Sequence, residues 1–325
     1  MKLKKIKRKV AVGTAILMTL SLAGCGIGSD SVKLGAAGVG GGYYAFSNAF
    51  AQIASSENED LDFEVKATAG STANIRLLSD GYVDMAIAQA DLVDAAYNGT
   101  GATDKKRYRG YSAVASLYTE ACQIVVRSDS GIDSLDDLQG KKISVGEEES
   151  GTQRNAEQIL KMTGLVESLV DTVNLDYVDA ANELKSGQID AFFCTAGIQT
   201  SVIEELSKEC DVKLIGIDDK CRDRLKSVYG FYTDYTIPAG TYEGQTQDVV
   251  TLGVRAVLLA RDDMDEKIVE ELTGLLFEHA QDIQYSIALT FQIDESEAVK
   301  NVTIPFHDGA KAYYQKKGVE IPAEQ

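Results

Sequence analysis

The sequence predicts an α/β fold in which a mostly parallel sheet is covered by helices. Two observations carry this. Short apolar runs and stretches of helical spacing alternate in the order strand, helix, strand, helix from residue 32 to residue 97. That order builds parallel sheets whose faces are closed by the helices. The alternation then resumes after residue 111. A chain of about 300 residues behind its leader is long enough for two compact lobes, or one large domain, with a sizeable core.

The elements follow in order. Residues 32–37 are a compact apolar run; a glycine cluster follows, then an amphipathic stretch over 44–54. Residues 62–67 alternate like a strand, and 71–79 show helical spacing through Ile75 and Leu78 and stop before Gly81. A strand over 83–88 and a helix over 91–97 complete the first series. Beyond it, 112–117 and 122–127 are strand-like, 134–138 is a short helix and 142–145 a strand. A helix is expected over 152–162, a strand over 171–178, a helix over 180–186, a buried strand over 189–194, a helix over 199–208 and a strand over 212–217. After Ile237-Pro238-Ala239-Gly240 a strand spans 249–259, and helices dominate the rest, around 267–284 and 310–317. The chain has three prolines, so no Pro-rich linker is present and any crossing between lobes is expected to be short and strand-like.

The first residues have a different character. Lys2, Lys4, Lys5, Lys7, Arg8 and Lys9 precede an apolar run over 10–22, which ends in Leu22-Ala23-Gly24-Cys25. Charge and length are those of a secretory signal peptide. The run is too short for a permanent helix across roughly 30 Å of hydrocarbon. Its end resembles a bacterial lipoprotein signal, in which the cysteine is acylated and becomes the first mature residue. The expectation is therefore a leader over 1–24, lipidation at Cys25, a polar tether over 25–30, and an extracytoplasmic chain held at the outer face of the membrane by its acyl chains. An ordinary signal peptide or a single membrane anchor is the alternative. No later segment has about 18 uninterrupted apolar residues.

The formal charge is −18, and without the six basic residues of the leader it is −24. Such a chain repels phosphate backbones, so a nucleic-acid partner is not expected. Cys122, Cys194, Cys210 and Cys221 show no C-x-x-C spacing, so no metal is expected. An exported chain permits disulfides, but Cys210 and Cys221 flank an apparent strand whose extension holds their Cα atoms beyond roughly 7 Å. They could pair only if the chain folds back. His279 and His307 are the only histidines, and neither sits in a context for Cys/His or Ser/His catalysis. No catalytic residue and no cofactor is expected.

Four strand-to-helix junctions are rich in Gly, Ser and Thr. Gly38-Val39-Gly40-Gly41-Gly42-Tyr43-Tyr44 opens a helix. Bare N–H groups there can approach a ligand, and a helix N-terminus favours an anion. Tyr43 stands where a dinucleotide fingerprint needs glycine. Thr68-Ala69-Gly70-Ser71-Thr72-Ala73-Asn74 repeats the arrangement, with Ser71 or Thr72 as the cap. Gln89 and Asp91 stand at the C-terminal end of a strand, where open sheets bind ligands. Ser150-Gly151-Thr152 with Asn155 offers hydroxyls, bare N–H groups and a helix dipole together. A fifth segment, Phe192-Phe193-Cys194-Thr195-Ala196-Gly197, is a buried strand ending in small residues that suit close backbone approach. Each motif also reads as ordinary capping or a plain turn. Together they suggest helix N-termini converging on a small anionic ligand.

Taken in order, the series resembles the TAXI family of solute-binding proteins, which serve tripartite TRAP transporters. The segments GVGGGYYAFSNAFAQI, ATAGSTANIRLLSDGYVDMAIAQAD, LYTEACQIVVRSDSGIDSLDDLQGKKISVG, SGTQRNAEQIL, ELKSGQIDAFFCTAG, IPAGTYEGQTQDVVTLGVRAVLLAR and HDGAKAYYQKKG carry it over nearly the whole mature chain. The resemblance implies a two-lobed periplasmic-binding-protein-like fold of type II, with two crossovers and with each lobe a mixed, mostly parallel sheet flanked by helices. It implies capture of a small carboxylate, a glutamate-like amino acid or a 2-oxo-dicarboxylate, by hinge closure, and delivery to a sodium-coupled permease. The alternative is an ABC-type solute-binding lipoprotein for another small metabolite. Lobe 1 is placed at 31–119 plus 240–325 and lobe 2 at 120–239. Gly42, Tyr43, Tyr44, Gly70, Ser71, Asn74, Gln89 and Asp91 would serve from lobe 1, and Ser150, Gly151, Thr152, Asn155, Ala196 and Gly197 from lobe 2. Glu147-Glu148-Glu149 depart from the family pattern. They are either solvated loop charges or, with Asp91, candidates for the ammonium of an amino acid.

Overall fold

The structure, a computed structural model, describes residues 31–101, 105–166, 168–287 and 293–322. The leader, Cys25 and the tether lie outside the described residues.

Strand β1 (Val32–Gly35) leads through the glycine turn to α1 (Gly42–Glu57). Then come β2 (Phe63–Lys66), α2 (Ser71–Ser79), β3 (Met85–Gln89) and α3 (Ala90–Asn98). Helix α1 forms because Phe46, Ala49, Phe50 and Ala54 recur at helical spacing, and all four are buried. Gly99 stops α3 in a left-handed C-cap at φ 70°. Strand β4 (Tyr111–Arg127) carries the chain into its second half. After a 3₁₀ turn at Leu135–Leu138, that half holds β5 (Lys142–Ser144), α4 (Gly151–Thr163), β6 (Asp171–Val173), α5 (Tyr177–Ser186), β7 (Ala191–Ala196), α6 (Ser201–Glu209), β8 (Val212–Leu214), α7 (Asp219–Val228) and β9 (Thr233–Ile237). Strand β10 (Val249–Arg261) returns, followed by α8 (Glu266–Glu278), α9 (Ala280–Ser286), α10 (Glu295–Ala298) and α11 (Asp308–Lys317).

All the strands join one mixed sheet in the order β2-β1-β3-β10-β4-β7-β5-β6, with β8 beside β4 and β9 beside β10. The parallel pairs lie in the two wings, β2-β1-β3 and β7-β5-β6. Every strand that pairs with β4 or β10 does so antiparallel, and only the isolated bridge between Ala113 and Phe306 is parallel among the described residues. Each long strand serves both halves. Ala256–Ala260 of β10 pairs with β3, whereas Val249–Gly253 pairs with β9. In β4, Ala121 lies opposite Gly253 on one side and Ala196 on the other. A register shift between Arg255 and Val257 marks a bulge near this point. The cores divide at the same level. Leu117, Tyr118 and Ala256–Ala260 belong to one cluster with Phe46 and Phe50; Cys122, Ile124 and Leu252 belong to another with Ile143 and Phe193.

Three local expectations change. The runs 112–117 and 122–127 are a single strand; Thr119 and Glu120 interrupt the apolar pattern, yet Glu120 is buried within the ladder. The strand expected over 171–178 ends at Val173, because Asp176 accepts a hydrogen bond from Asp179 N–H and starts α5. Helix α7 and strand β9 had too little apolar content to be seen: α7 buries only Cys221 and Leu225, and β9 only Ile237. The cysteines at 122, 194, 210 and 221 are all free.

Candidate functional site

A cleft lies between the two halves where α1, α2, α4 and α5 begin. Ala37, Gly38 and Gly41–Tyr43 form one side with Ala69–Ser71 and Gln89. Glu147, Ser150–Thr152, Asp176 and Tyr177 face them, with Thr195 and Ala196 at the end of β7 and Glu120 of β4 at the floor. The cleft is narrow, with about 40 Å³ open to a water-sized molecule, room for roughly three water molecules. Four helix N-termini direct positive dipole ends at this space, and no Lys or Arg lines it among the described residues.

The glycines allow this closeness. Gly70 holds φ 118°, a conformation side chains rarely adopt, and its missing Cβ would lie 3.6 Å from Ser150 Cα across the cleft. A Cβ at Gly151 would lie 2.5 Å from the Gln89 side chain. Gln89 Nε2–H donates across the cleft to Asn155 Oδ1 at 3.1 Å, and Asn155 Nδ2–H donates to Tyr232 Oη at 2.8 Å.

Two buried networks shape the floor. Tyr43 Oη–H donates to Glu120 Oε2 at 2.7 Å. Burial pushes the Glu120 carboxyl up to about 8, against the opposing pull of Tyr43 and Gln89. On the other wall the Thr195 N–H donates to Thr152 Oγ1 at 3.1 Å, Thr152 Oγ1 and Tyr177 Oη lie 2.6 Å apart, and Tyr177 Oη–H donates to the Thr195 carbonyl at 3.1 Å. Glu147, half-buried, is held above the ordinary carboxyl range, first by burial and then by Asp176.

Nine of the anticipated residues meet at the cleft wall: Gly42, Tyr43, Gly70, Ser71, Gln89, Ser150, Gly151, Thr152 and Ala196. Five stand elsewhere. Tyr44 packs against the first core cluster. Asn74 is a brace: its Nδ2–H donates to the Ile87 carbonyl at 2.8 Å and also to the Ala36 carbonyl, tying α2 to β1 and β3. Asp91 lines a separate groove and is raised to about 6 by burial. Asn155 accepts from Gln89, and Gly197 is buried outside the cleft wall. Ser71 does not cap α2; Gly70 holds that position, and Ser71 Oγ accepts from the Gln89 N–H at 3.1 Å. Glu120, Tyr177, Thr195 and Asp176 were not anticipated. An acid flanked by two apolar runs of one strand was the signal for Glu120.

With this geometry in hand, the sequence profile of the NMT1-like family matches residues 34–318. The chain belongs to the NMT1-like family. The fold of this NMT1-like protein is that of periplasmic binding proteins. It is similar to a protein from Bordetella bronchiseptica RB50, at 16% identity and TM-score 0.56 over 89% of this chain and 98% of that one. It is also similar to MatC from Rhodopseudomonas palustris, solved with bound malate, at 14% identity and TM-score 0.55 over 79% of this chain and 87% of that one. A Listeria monocytogenes protein assigned to an L-cystine ABC transporter matches at 14% identity and TM-score 0.50, over 79% of this chain and 93% of that one.

Proposed function

We propose that this NMT1-like protein is the extracytoplasmic solute-binding subunit of a membrane transporter and not an enzyme. It would be tethered through a lipid on Cys25 and would close two lobes over a small carboxylate. Residues 31–119 plus 240–325 are read as lobe 1 and 120–239 as lobe 2, with β4 and β10 as the two crossovers. The core clusters support a break within β4 near Thr119 and Glu120, but they group Tyr242, Leu252 and Val254 with the second half, so the return crossing is read within β10 after Val254.

The observation that carries the reading is the composition of the cleft wall. Helix N-termini supply partial positive charge for one carboxylate. Glu147 and Asp176 supply acidic groups beside it, Glu120 adds a carboxyl that burial holds protonated and that an ammonium would draw toward its charged form, and no cation lines the wall among the described residues. A second carboxylate on the ligand would meet these acids without compensation. An α-ammonium would be welcomed by them. The cleft therefore favours a small amino acid over a 2-oxo-dicarboxylate. Isothermal titration calorimetry with matched pairs, L-alanine against pyruvate and L-glutamate against 2-oxoglutarate, tests this. The expected result is binding of an amino acid at least about tenfold tighter than its oxo acid, about 1.4 kcal/mol. Equal affinities within each pair would sink the choice of ligand.

The likeness to an L-cystine ABC transporter protein favours an ABC-type permease as partner. The motif series shared with TAXI proteins favours the second reading, a sodium-coupled TRAP permease. Uptake by vesicles carrying the cognate permease separates them: dependence on ATP supports the first, and dependence on a sodium gradient the second.

A further inference from the structure

Helix α2 begins without a cap of its own. Its N-cap is Gly70, which has no side chain, and Ser71 Oγ is engaged with Gln89. The first N–H groups of a helix have no partner inside it. Those of Thr72 and Ala73 both donate to a single acceptor, the Glu149 carbonyl, at 3.1 and 3.3 Å. Glu149 belongs to the facing lobe, in the loop before α4. Its backbone is left-handed at φ 64°, which is uncommon outside glycine. The same residue reaches back with its side chain: Arg76 Nε–H donates to Oε1 at 3.1 Å and Arg76 Nη2–H to Oε2 at 2.7 Å. The Glu149 N–H donates to Gln153 Oε1 at 3.0 Å, which fixes the loop to α4. One residue thus offers α2 both a carbonyl for its open end and a two-pronged carboxylate for its arginine. Neither Arg76 nor Glu149 lines the solute cleft.

We infer that Arg76 and Glu149 are positioning residues that form a latch between the lobes, holding the closed arrangement even without solute. This rests on the hinge-closure reading above, but it makes no use of the ligand's identity. The contacts of Glu149 with Thr72, Ala73 and Arg76 cross from one lobe to the other, so all of them are lost when the lobes part, whereas its bond to Gln153 stays within its own lobe. The latch fixes the spacing of α2 and α4, whose N-termini face the solute, and so sets the cleft for its ligand. The ion pair is partly exposed, with 38% and 42% of the two side chains accessible, so salt weakens it.

Hydrogen exchange of the solute-free protein, resolved to the Thr72 and Ala73 amides, tests the latch. These two N–H groups are its sensors, because their acceptor is on the other lobe. In the wild type they are expected to exchange slowly in low salt. In Arg76→Ala they should exchange roughly 3–10-fold faster, while the later turns of α2 and the strands of both cores keep their rates. Glu149→Gly retains the carbonyl and the left-handed backbone but loses the carboxylate, so it should match Arg76→Ala, and the double variant should add little. Arg76→Lys keeps charge without the two-pronged geometry and should fall between. Raising NaCl to 1 M should bring the wild type toward the variants. Fast exchange of both amides in the wild type, or equal rates in the wild type and Arg76→Ala, overturns the inference. So does a rise spread through the whole of α2, which marks loss of helix stability rather than release of a latch. Because no solute is added, the result stands apart from the calorimetric test of ligand class.

Discussion

Glu120 is a carboxyl placed where β4 passes from one half of the sheet to the other, with the Tyr43 hydroxyl as a donor and hydrophobic surroundings on either side. Its value rises from the ordinary 4.5 to about 8, so the fold prefers the protonated form. The stability this contributes is fully present below the unfolded value and is lost as pH rises through about 8. Asp91, raised to about 6, acts in the same direction over a lower range. Urea unfolding of the wild type should therefore give a free energy that falls between pH 5 and pH 8. Glu120→Gln should flatten the upper part of that fall, by up to ~1.4 kcal/mol per pH unit. Parallel curves for the two proteins would contradict the assignment. Thr152 makes a different point. Its position at the start of α4 suggests a ligand contact whose removal leaves the solute-free protein intact. Its hydroxyl instead accepts from the buried Thr195 N–H. Thr152→Ala should cost about 1–3 kcal/mol in the absence of any solute, read from the same unfolding curves.

At the scale of elements, the junctions decide the site. Helix α4 approaches α2 and β3 because Gly151 leaves space for Gln89. Gly151→Ala places a methyl group inside that side chain's volume. It should break the Gln89 to Asn155 bond and hold the lobes apart, raising the radius of gyration in solution scattering while each lobe keeps its circular dichroism. An unchanged radius would show that the cleft can absorb the methyl group. The glycine- and hydroxyl-rich junctions were legible in the sequence because capping and bare-backbone chemistry are local. Ser150 does accept from Gln153 N–H, as such a motif predicts. The cap of α2 was illegible, since its acceptor, Glu149, comes from a loop remote in sequence. Asn74 looked like a ligand group because it follows Ser71 in the motif; the strands it ties together are remote in sequence. The parallel wings followed from the alternation of elements. The continuity of β4 through Glu120 did not, because a buried acid breaks the apolar pattern that marks a strand.

The whole molecule is two halves joined by two antiparallel strands, with the starts of four helices facing a narrow cleft between them. The cleft gathers four helix N-termini and three acids around a space that, on the function proposed above, would hold a small zwitterion. The most direct test is a thermal-shift comparison of the wild type and Gly151→Ala against a panel of L-amino acids and their oxo acids. At least one amino acid should raise the wild-type melting temperature by about 5 °C at a concentration near 100 times its dissociation constant. The same compound should leave Gly151→Ala nearly unmoved. A shift of equal size in both proteins, or no shift from any small carboxylate, would contradict a solute site between the lobes.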